Sequence, residues 1–227
     1  VLASDQTLER ELQQLTDAVE VDLYHARLTN ETVVNAKSLA KMEEELPIAA
    51  GLLPEYLGLN AIGYACTSGA SIIGEDRVKA IMRESHPDIP SSNPLTAAKA
   101  ALKALSVERL GLLTPYTPEV TEAMQQRFGE AGIAITVVGS FYEENDILVG
   151  QIDPKSILKA AVALGKSELC DGIFISCTSL RTAGIIDEAE AELGKPVTAS
   201  NHALAWHLLR LVGIDDKLVG FGRLFNI

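Results

Sequence analysis

The strongest constraint in this sequence is a pattern that occurs twice: an apolar run followed directly by Cys-Thr-Ser. One triplet begins at Cys66 after residues 60–65, and the other begins at Cys177 after residues 172–176. Short apolar runs predict buried β-strands, and the small hydroxyl residues that follow predict the start of a helix. Because open α/β sheets bind ligands beyond the carboxyl ends of their strands, both cysteines are predicted to lie at a ligand site.

The rest of the chain alternates between strand-like and helix-like segments, which predicts an α/β fold with parallel sheets covered by helices. Residues 1–4 are predicted to end a first strand, and alternating or short apolar runs predict strands at 19–24, 60–65, 110–114, 133–138, 172–176, 196–199 and 219–222. Helical periodicity predicts helices at 8–15, 31–45, 69–84, 95–105, 118–128, 154–164, 182–193 and 204–211. Pro47 is expected to break the second helix, since proline lacks the N–H that a helix interior uses.

The second half of the chain repeats the order of the first. In each half, Cys-Thr-Ser is followed by a helix, a Ser-Asn pair that begins at Ser92 or Ser200, and a further helix. This repeat predicts two similar Rossmann-like lobes, related by a pseudo-twofold axis, with the active site in the cleft between them. We expect one lobe to comprise residues 1–90 and 200–227, and the other to comprise residues 91–199.

Composition argues against several classes of function. The formal net charge of −12 disfavours nucleic-acid binding, which depends on clustered basic residues. No apolar run approaches the ~20 residues of a membrane span, and residues 1–4 lead directly into polar sequence without a signal peptide. Three cysteines without disulfide-type spacing fit a reducing compartment, so a cytoplasmic location is predicted.

Each cysteine is either a buried structural thiol or a reactive one. The matching contexts of Cys66 and Cys177 favour reactive thiols, because a helix N-terminus lowers the pKa of a thiol. Cys170 lacks this context and is predicted to be structural. The hydroxyl residues after the two cysteines are predicted to hold a carboxylate together with free backbone N–H groups. They are Thr67, Ser68, Thr178 and Ser179.

The sequence contains no motif for a metal or an organic cofactor. It has no Cys-x-x-Cys or His-x-x-x-His pair, no P-loop and no Gly-x-Ser-x-Gly elbow. His202 and His207 are five residues apart, which is the wrong spacing for one ligand face of a helix. We expect His202 to cap or pack, and we expect no cofactor to take part in catalysis.

These features resemble the aspartate/glutamate racemase superfamily. The resemblance rests on the paired Cys-Thr-Ser strands, the two-lobe repeat, residues 114–116 after the fourth strand and residues 145–150 in the following loop. Within the superfamily, the chain most resembles the branch that holds maleate cis–trans isomerase, arylmalonate decarboxylase and the ectoine-utilisation relatives. The resemblance covers nearly the whole chain.

The resemblance implies roles for four residues. Cys66 and Cys177 match the two catalytic cysteines, whereas Tyr116 and Asn145 match residues that bind a substrate carboxylate. Amino-acid racemases of the superfamily follow the second cysteine with Thr-His or Thr-Glu, and this chain has Thr-Ser, which disfavours ordinary glutamate or aspartate racemisation. The decarboxylase lacks the first cysteine, so the presence of Cys66 disfavours decarboxylation.

Asp5 marks a further departure from the pattern. Maleate isomerases usually carry an asparagine near the end of strand one, where this chain has residues 4–6, Ser-Asp-Gln. If Asp5 faces the cleft, its charge repels a second substrate carboxylate and favours a cationic nitrogen. The sequence around Asp5 is closest to that of the ectoine-utilisation relatives, which implies a substrate such as ectoine or an amino acid.

We therefore expect a cofactor-independent isomerase, either a racemase or a cis–trans isomerase, that acts on a small carboxylic acid through two cysteines. Two alternatives stay open: a decarboxylase that uses Cys177 alone, and a non-catalytic protein that binds a small ligand in the same cleft. The expected partners are the carboxylate substrate and further copies of the chain in a homo-oligomer, with neither nucleic acid nor a membrane.

Overall fold

The computed structural model describes all residues from Val1 to Ile227, and it confirms the predicted α/β fold. The strands are β1 (Ile62–Gly63), β2 (Ser91–Ser92), β3 (Arg109–Thr114), β4 (Ala134–Ser140), β5 (Gly172–Ile175) and β6 (Val197–Ala199). Strands β4, β3, β5 and β6 form a parallel sheet in that order, and β1 pairs with β2 in a second parallel sheet. The two lobes are therefore present but carry sheets of unequal size.

Helices cover both sheets. The α-helices are α1 (Leu8–Thr16), α2 (Ala36–Gly51), α3 (Thr67–Ile73), α4 (Glu75–Ser85), α5 (Pro94–Ala104), α6 (Pro118–Glu130), α7 (Asp146–Val149), α8 (Pro154–Gly165), α9 (Ile186–Leu193) and α10 (Ser200–Leu211). Helix α10 packs against α5 and α1, and α3 packs against α2 and α6. No helix combines the length and the apolar character that crossing a membrane requires.

The strands of the larger sheet lie within two residues of their predicted bounds. Residues Leu110 and Leu112 of β3 and Ile173 of β5 are fully buried. Both strands are central in the sheet and have helices on both faces, so their sequences are continuous apolar runs. This arrangement places the carboxyl end of β5, and with it Cys177, at the edge where ligands bind.

Three predicted strands are wrong. Residues 1–4 form only an isolated bridge between Leu2 and Leu28. Residues 19–24 have no partner strand, and their alternating pattern arises because Val19, Val21 and Leu23 pack against a hydrophobic cluster. Residues 219–222 form a turn instead, because Gly220 and Gly222 have φ angles of +94° and +73°.

Four predicted helices differ at their boundaries, one of them α10, which begins at Ser200 rather than at residue 204. Helix α2 begins at Ala36 rather than near residue 31, and it continues through Pro47 because Leu46, Ala49 and Ala50 bury their side chains on either side of the proline. The predicted helix 69–84 is divided into α3 and α4 at Gly74, which has a φ of +96°. Helix α9 begins at Ile186, so the chain between Cys177 and this helix is a long turn.

Candidate active site

Cys66 lies between β1 and α3. It is the N-cap residue of α3, and its sulfur accepts a hydrogen bond from the N–H of Gly69 at 3.2 Å. The hydroxyl of Ser68 lies 3.6 Å from the same sulfur. A Cβ atom at position 69 would overlap the hydroxyl of Tyr64, so this close approach requires glycine. The first thiol thus faces the first turn of a helix, as the sequence predicted.

Cys177 follows β5, but no helix begins directly after it. Its φ angle is +126°, in a region that residues with a side chain rarely adopt and that costs about 1–3 kcal/mol. The backbone N–H of Cys177 donates a hydrogen bond to Oγ of Ser200 at 2.9 Å. The predicted helix N-terminus at Cys177 is therefore wrong, and a strained turn presents the second thiol.

Both cysteines line one closed cavity between the lobes, and its volume is about 10 Å³. A cavity of this size holds about one water molecule. The lining residues are Leu2, Asn30, Glu31, Val33, Val34, Ser38, Leu39, Met42, Cys66, Thr67, Ser68, Tyr116, Asp146, Cys177 and Thr178. Six of the residues selected from the sequence are thus brought together: both cysteines, Tyr116 and three of the four hydroxyl residues.

Three predicted binding residues do not line the cavity. Asp5 is buried, and its Oδ1 accepts hydrogen bonds from two backbone N–H groups at the start of α1. Oδ1 of Asn145 accepts two backbone hydrogen bonds at the start of α7, so this side chain is a helix cap. Ser179 points to a neighbouring carboxylate, since its hydroxyl donates to Oδ1 of Asp146 at 2.8 Å.

Asp146 lines the cavity, and sequence analysis missed it. Its carboxylate is buried, and it accepts hydrogen bonds from the hydroxyls of Ser179 and Ser4. Burial raises the pKa of Asp146, whereas these two hydrogen bonds lower it. The sequence offered an Asn-Asp pair at this position but no signal to show which of the two faces inwards.

Burial also has the largest effect on the pKa of both thiols. It raises the pKa of Cys66 to about 11, although hydrogen bonds from Ser68 and Gly69 favour the thiolate. Burial raises the pKa of Cys177 too, and the negative charge of Asp146 adds to the effect, while a hydrogen bond from Tyr116 opposes it. The predicted lowering of both pKa values is therefore wrong, because desolvation in the closed cavity exceeds the effect of nearby N–H groups.

A buried network holds the turn that carries Cys177. Carboxylate oxygens of Glu11 accept hydrogen bonds from the N–H groups of residues 182 and 183 and from Nδ2 of Asn201. Nδ2 of Asn201 also donates to the carbonyl oxygen of Thr178 at 2.8 Å. Glu11 lies on the buried face of α1, so an acid at an apolar position of the helical repeat was the available signal.

Two other predicted assignments concern residues outside the cavity. Cys170 is buried, and its sulfur contacts the carbonyl oxygens of Leu164 in α8 and of Ser167 in the following turn, as a structural thiol does. His202 is buried between Thr198 and the carbonyl oxygen of Phe221, and burial lowers its pKa to about 4. His202 therefore packs and stays neutral at physiological pH.

Larger cavities lie elsewhere but contain no cysteine. A cavity of 140 Å³ near the N-terminus is lined by 22 residues, of which 19 are hydrophobic. A polar groove of 570 Å³ borders α4, α5 and α6, and two of its cationic side chains, Lys99 and Arg127, are paired with carboxylates. Neither space contains a cysteine, so the small cavity between the two thiols is the candidate active site.

Comparisons with known proteins agree with this geometry. The arylmalonate decarboxylase family, Amdase, matches residues 33–225. Arylmalonate decarboxylase of Bordetella bronchiseptica is 33% identical over 147 residues, which cover 64% of this chain and only 61% of that protein. Maleate isomerase of Pseudomonas putida is 23% identical over an alignment that covers 100% of this chain and 95% of that protein.

A solved structure shows the same fold. Nocardia farcinica maleate cis–trans isomerase, in a mutant form with a covalently bound succinylcysteine intermediate, superimposes with a TM-score of 0.90 at 24% identity. The match covers 99% of this chain and 96% of that one. The resemblance to the branch with maleate isomerase and arylmalonate decarboxylase is thus confirmed. Since the family match extends over most of its length, this chain belongs to the arylmalonate decarboxylase family.

Proposed function

We propose that this protein is a cofactor-independent isomerase that acts on a small carboxylic acid through Cys66 and Cys177. The observation that carries the proposal is the position of the two thiols, which line one closed cavity together with the hydroxyl-bearing side chain of Tyr116. Relatives support it: maleate isomerases align over the full chain, and the Nocardia protein holds a cysteine joined to a succinyl group.

Two thiols suffice for either form of isomerisation. In racemisation, one thiolate removes the proton from the carbon beside the carboxylate, and the other thiol returns a proton to the opposite face. In cis–trans isomerisation, a thiolate forms a C–S bond to one alkene carbon while the other thiol protonates the second carbon. After rotation about the new single bond, the second sulfur takes the proton back and the C–S bond breaks, so no co-reactant is consumed.

The remaining residues divide into direct and indirect roles. Thr67, Ser68, Thr178 and Tyr116 line the cavity, and we assign them to the substrate carboxylate and to the negative charge that develops on it. We assign indirect roles to the three residues outside the cavity. Asp5 caps the start of α1, Asn145 caps α7, and Ser179 orients the carboxylate of Asp146.

Substrate entry requires the cavity to open. Residues 30–42 supply seven of its lining side chains and close it from one side. Two backbone hydrogen bonds of 2.8 Å join this segment to the start of α7 and the loop before it. The N–H of Val34 donates to the carbonyl oxygen of Glu144, and the N–H of Asp146 donates to the carbonyl oxygen of Thr32. We infer that these contacts break when the substrate enters.

Removal of each thiol tests the two-cysteine mechanism. Cys66→Ala and Cys177→Ala should each lower kcat by roughly 10² to 10⁴, as expected for the loss of a positioned acid or base. Cys170→Ala is the matched control, since this cysteine lies outside the cavity, and it should leave kcat unchanged. Turnover of a panel of small acids is followed by NMR in deuterated buffer. Full activity of Cys66→Ala would refute the two-thiol mechanism.

The second candidate function is decarboxylation by Cys177 alone. The family match and the 33% identity to the Bordetella enzyme favour it. It requires that Cys66→Ala releases CO₂ from a substituted malonate as fast as the wild type, and that Cys177→Ala does not. The presence of a second thiol in the same cavity argues for isomerisation.

Three further expectations stand as proposals. We propose that the protein works in the cytoplasm, that it forms a homo-oligomer, and that its lobes divide into residues 1–90 with 200–227 and residues 91–199. Analytical ultracentrifugation measures the oligomeric state, and limited proteolysis near residues 90 and 200 tests the lobe boundaries.

A further inference from the structure

The charge around the two thiols is unexpected for a site that binds acids. Among the fifteen residues that line the cavity, Glu31 and Asp146 are acidic, and none is lysine, arginine or histidine. Glu31 is neutralised by an ion pair with Lys41. Asp146 is only 4% exposed and forms no ion pair. A buried carboxylate without a counter-charge therefore borders the space that the substrate enters.

The hydrogen bonds around Asp146 favour its ionised form. Nδ2 of Asn30 donates to Oγ of Ser4 at 2.8 Å, so the Ser4 hydroxyl proton is free to bind Oδ2 of Asp146. The hydroxyl of Ser179 donates to Oδ1 at 2.8 Å. Both carboxylate oxygens accept hydrogen bonds, and these bonds stabilise the carboxylate against burial, which raises its pKa.

A second carboxylate adds to the negative potential. Asp5 is 2% exposed, and its Oδ2 has no hydrogen-bond partner. It lies close enough for its charge to disfavour ionisation of both Asp146 and Cys177. An unpartnered buried carboxylate oxygen is costly unless positive charge compensates it. Arg27 donates to the backbone carbonyl of Asp5, but no lysine, arginine or histidine lines the cavity itself, so the positive charge beside Asp146 comes from the ligand.

We propose that Asp146 is a specificity-determining residue, and that the cavity accepts a small acid with one carboxylate and a cationic nitrogen while rejecting dicarboxylates. This inference rests on the proposed function, because it names the substrate class of the same site. A cationic group beside Asp146 offsets its charge, whereas a second substrate carboxylate is repelled by it. Bound positive charge also favours the thiolate form of Cys66 and Cys177, which burial disfavours.

Charged alkylating reagents test this selection without knowledge of the substrate. Wild type is treated with cationic 2-bromoethylamine and with anionic iodoacetate, and adducts at Cys66 and Cys177 are quantified by peptide mass spectrometry. The ratio of the two rate constants is divided by the ratio for N-acetylcysteine. We expect the normalised ratio to exceed 10 in wild type and to fall at least tenfold in Asp146→Asn.

Asp153→Asn is the matched control, because it removes the same charge from an exposed residue at the start of α8, and it should leave the ratio unchanged. A ratio in Asp146→Asn within twofold of wild type overturns the proposal. If Asp146→Asn fails to fold, a normalised ratio of about 1 or less in wild type still overturns the proposal.

A substrate panel separates this inference from the proposed function. An amino-bearing monocarboxylate and a dicarboxylate of equal length are compared by kcat/KM in wild type and Asp146→Asn. We expect the variant to shift the preference at least tenfold towards the dicarboxylate. Turnover of maleate by wild type with no shift in the variant refutes the substrate class but keeps the two-thiol mechanism. Full turnover by Cys66→Ala with a shifted preference refutes the mechanism and keeps the charge selection.

Discussion

The hydroxyls of Thr67 and Ser200 share a hydrogen bond of 2.7 Å that joins the two halves of the active site. Thr67 directly follows the first cysteine, and Oγ of Ser200 accepts the backbone N–H of Cys177. One buried oxygen therefore connects helix α3, which Cys66 caps, to the strained turn that carries Cys177. The relative position of the two sulfurs depends on this oxygen.

Ser200→Ala should lower kcat while KM changes little. The substitution leaves the N–H of Cys177 and the hydroxyl of Thr67 buried without a partner, at a cost of about 1–3 kcal/mol each. Ser92→Ala is the control, because Ser92 is also buried and hydrogen-bonded, to His207. Steady-state kinetics measure kcat and KM of both variants, and thermal unfolding measures their stability. An equal loss of kcat in the two variants would show that Ser200 acts only through stability.

Tyr116→Phe should shift the pH–rate profile to higher pH. The hydroxyl of Tyr116 lowers the pKa of the Cys177 thiol, against the larger effect of burial. Its loss raises the pKa further, so kcat/KM at pH 7.5 should fall by roughly tenfold for each unit of the shift. Tyr142→Phe removes an exposed hydroxyl and should change nothing. An unchanged profile in Tyr116→Phe would contradict a role for this hydroxyl in thiolate formation.

The free energy of unfolding should fall at alkaline pH because of Cys66. Its pKa is about 11 in the folded protein and about 8.5 in the unfolded chain, so the unfolded state loses the proton first. The stability from this thiol is complete below pH 8.5 and is lost as the pH rises towards 11, by about 1.4 kcal/mol per pH unit.

Urea unfolding at pH 7, 9 and 10 measures this loss. The wild type should lose stability more steeply than Cys66→Ala above pH 8.5, and the two slopes should agree below it. Parallel curves over the whole range would show that Cys66 is not a buried neutral thiol.

Glu11→Gln should destabilise the protein by about 1.5–3 kcal/mol, the usual value of a hydrogen bond to a charged group. Both oxygens of the buried Glu11 carboxylate accept hydrogen bonds from N–H groups. In glutamine, one of these oxygens is replaced by an NH₂ group, which is itself a donor and cannot accept such a bond. Glu9→Gln alters a partly exposed residue of the same helix and should change stability by less than about 0.5 kcal/mol. Thermal unfolding of both variants gives the comparison, and equal midpoints would contradict the network.

Binding of a substrate analogue should slow hydrogen exchange at the contacts that close the cavity. In the free protein, the amides of Val34 and Asp146 must lose their partners whenever the cavity opens. They should therefore exchange faster than the amide of Leu112, which lies in the centre of the larger sheet. Exchange as slow as that of Leu112 in the free protein would show that substrate enters by another route.

Burial decides how much of the fold was predictable. The strands β3 and β5 are covered on both faces, so each is a continuous apolar run with a clear signal. Residues 19–24 show the alternation of a strand because one face packs against the core, yet pairing depends on a neighbouring strand that the local sequence does not encode. Pro47 illustrates the same limit, since tertiary packing keeps α2 helical through a residue that usually ends helices.

The site residues in the repeated motif were predictable from the sequence, whereas the residues whose role depends on the direction of the side chain were not. The duplicated Cys-Thr-Ser pattern identified both thiols, which line the same cavity. The negative charge was predicted at Asp5, but Asp146 is the residue that borders the cavity beside the thiols. The resemblance indicated Asn145, which caps a helix one residue away from it. Helix registers and turns determine which of two neighbouring side chains points into the cavity, and the sequence alone does not show this.

The small closed cavity has a consequence for oxidative damage. Peroxides attack the thiolate form of exposed cysteines, and this protein keeps both thiols buried and protonated when no ligand is bound. A resting molecule should therefore resist oxidation, and inactivation should occur mainly in those molecules that have opened to admit substrate. The segment that closes the cavity thus determines how long the enzyme survives in an oxidising cell, and not only which molecules reach its thiols.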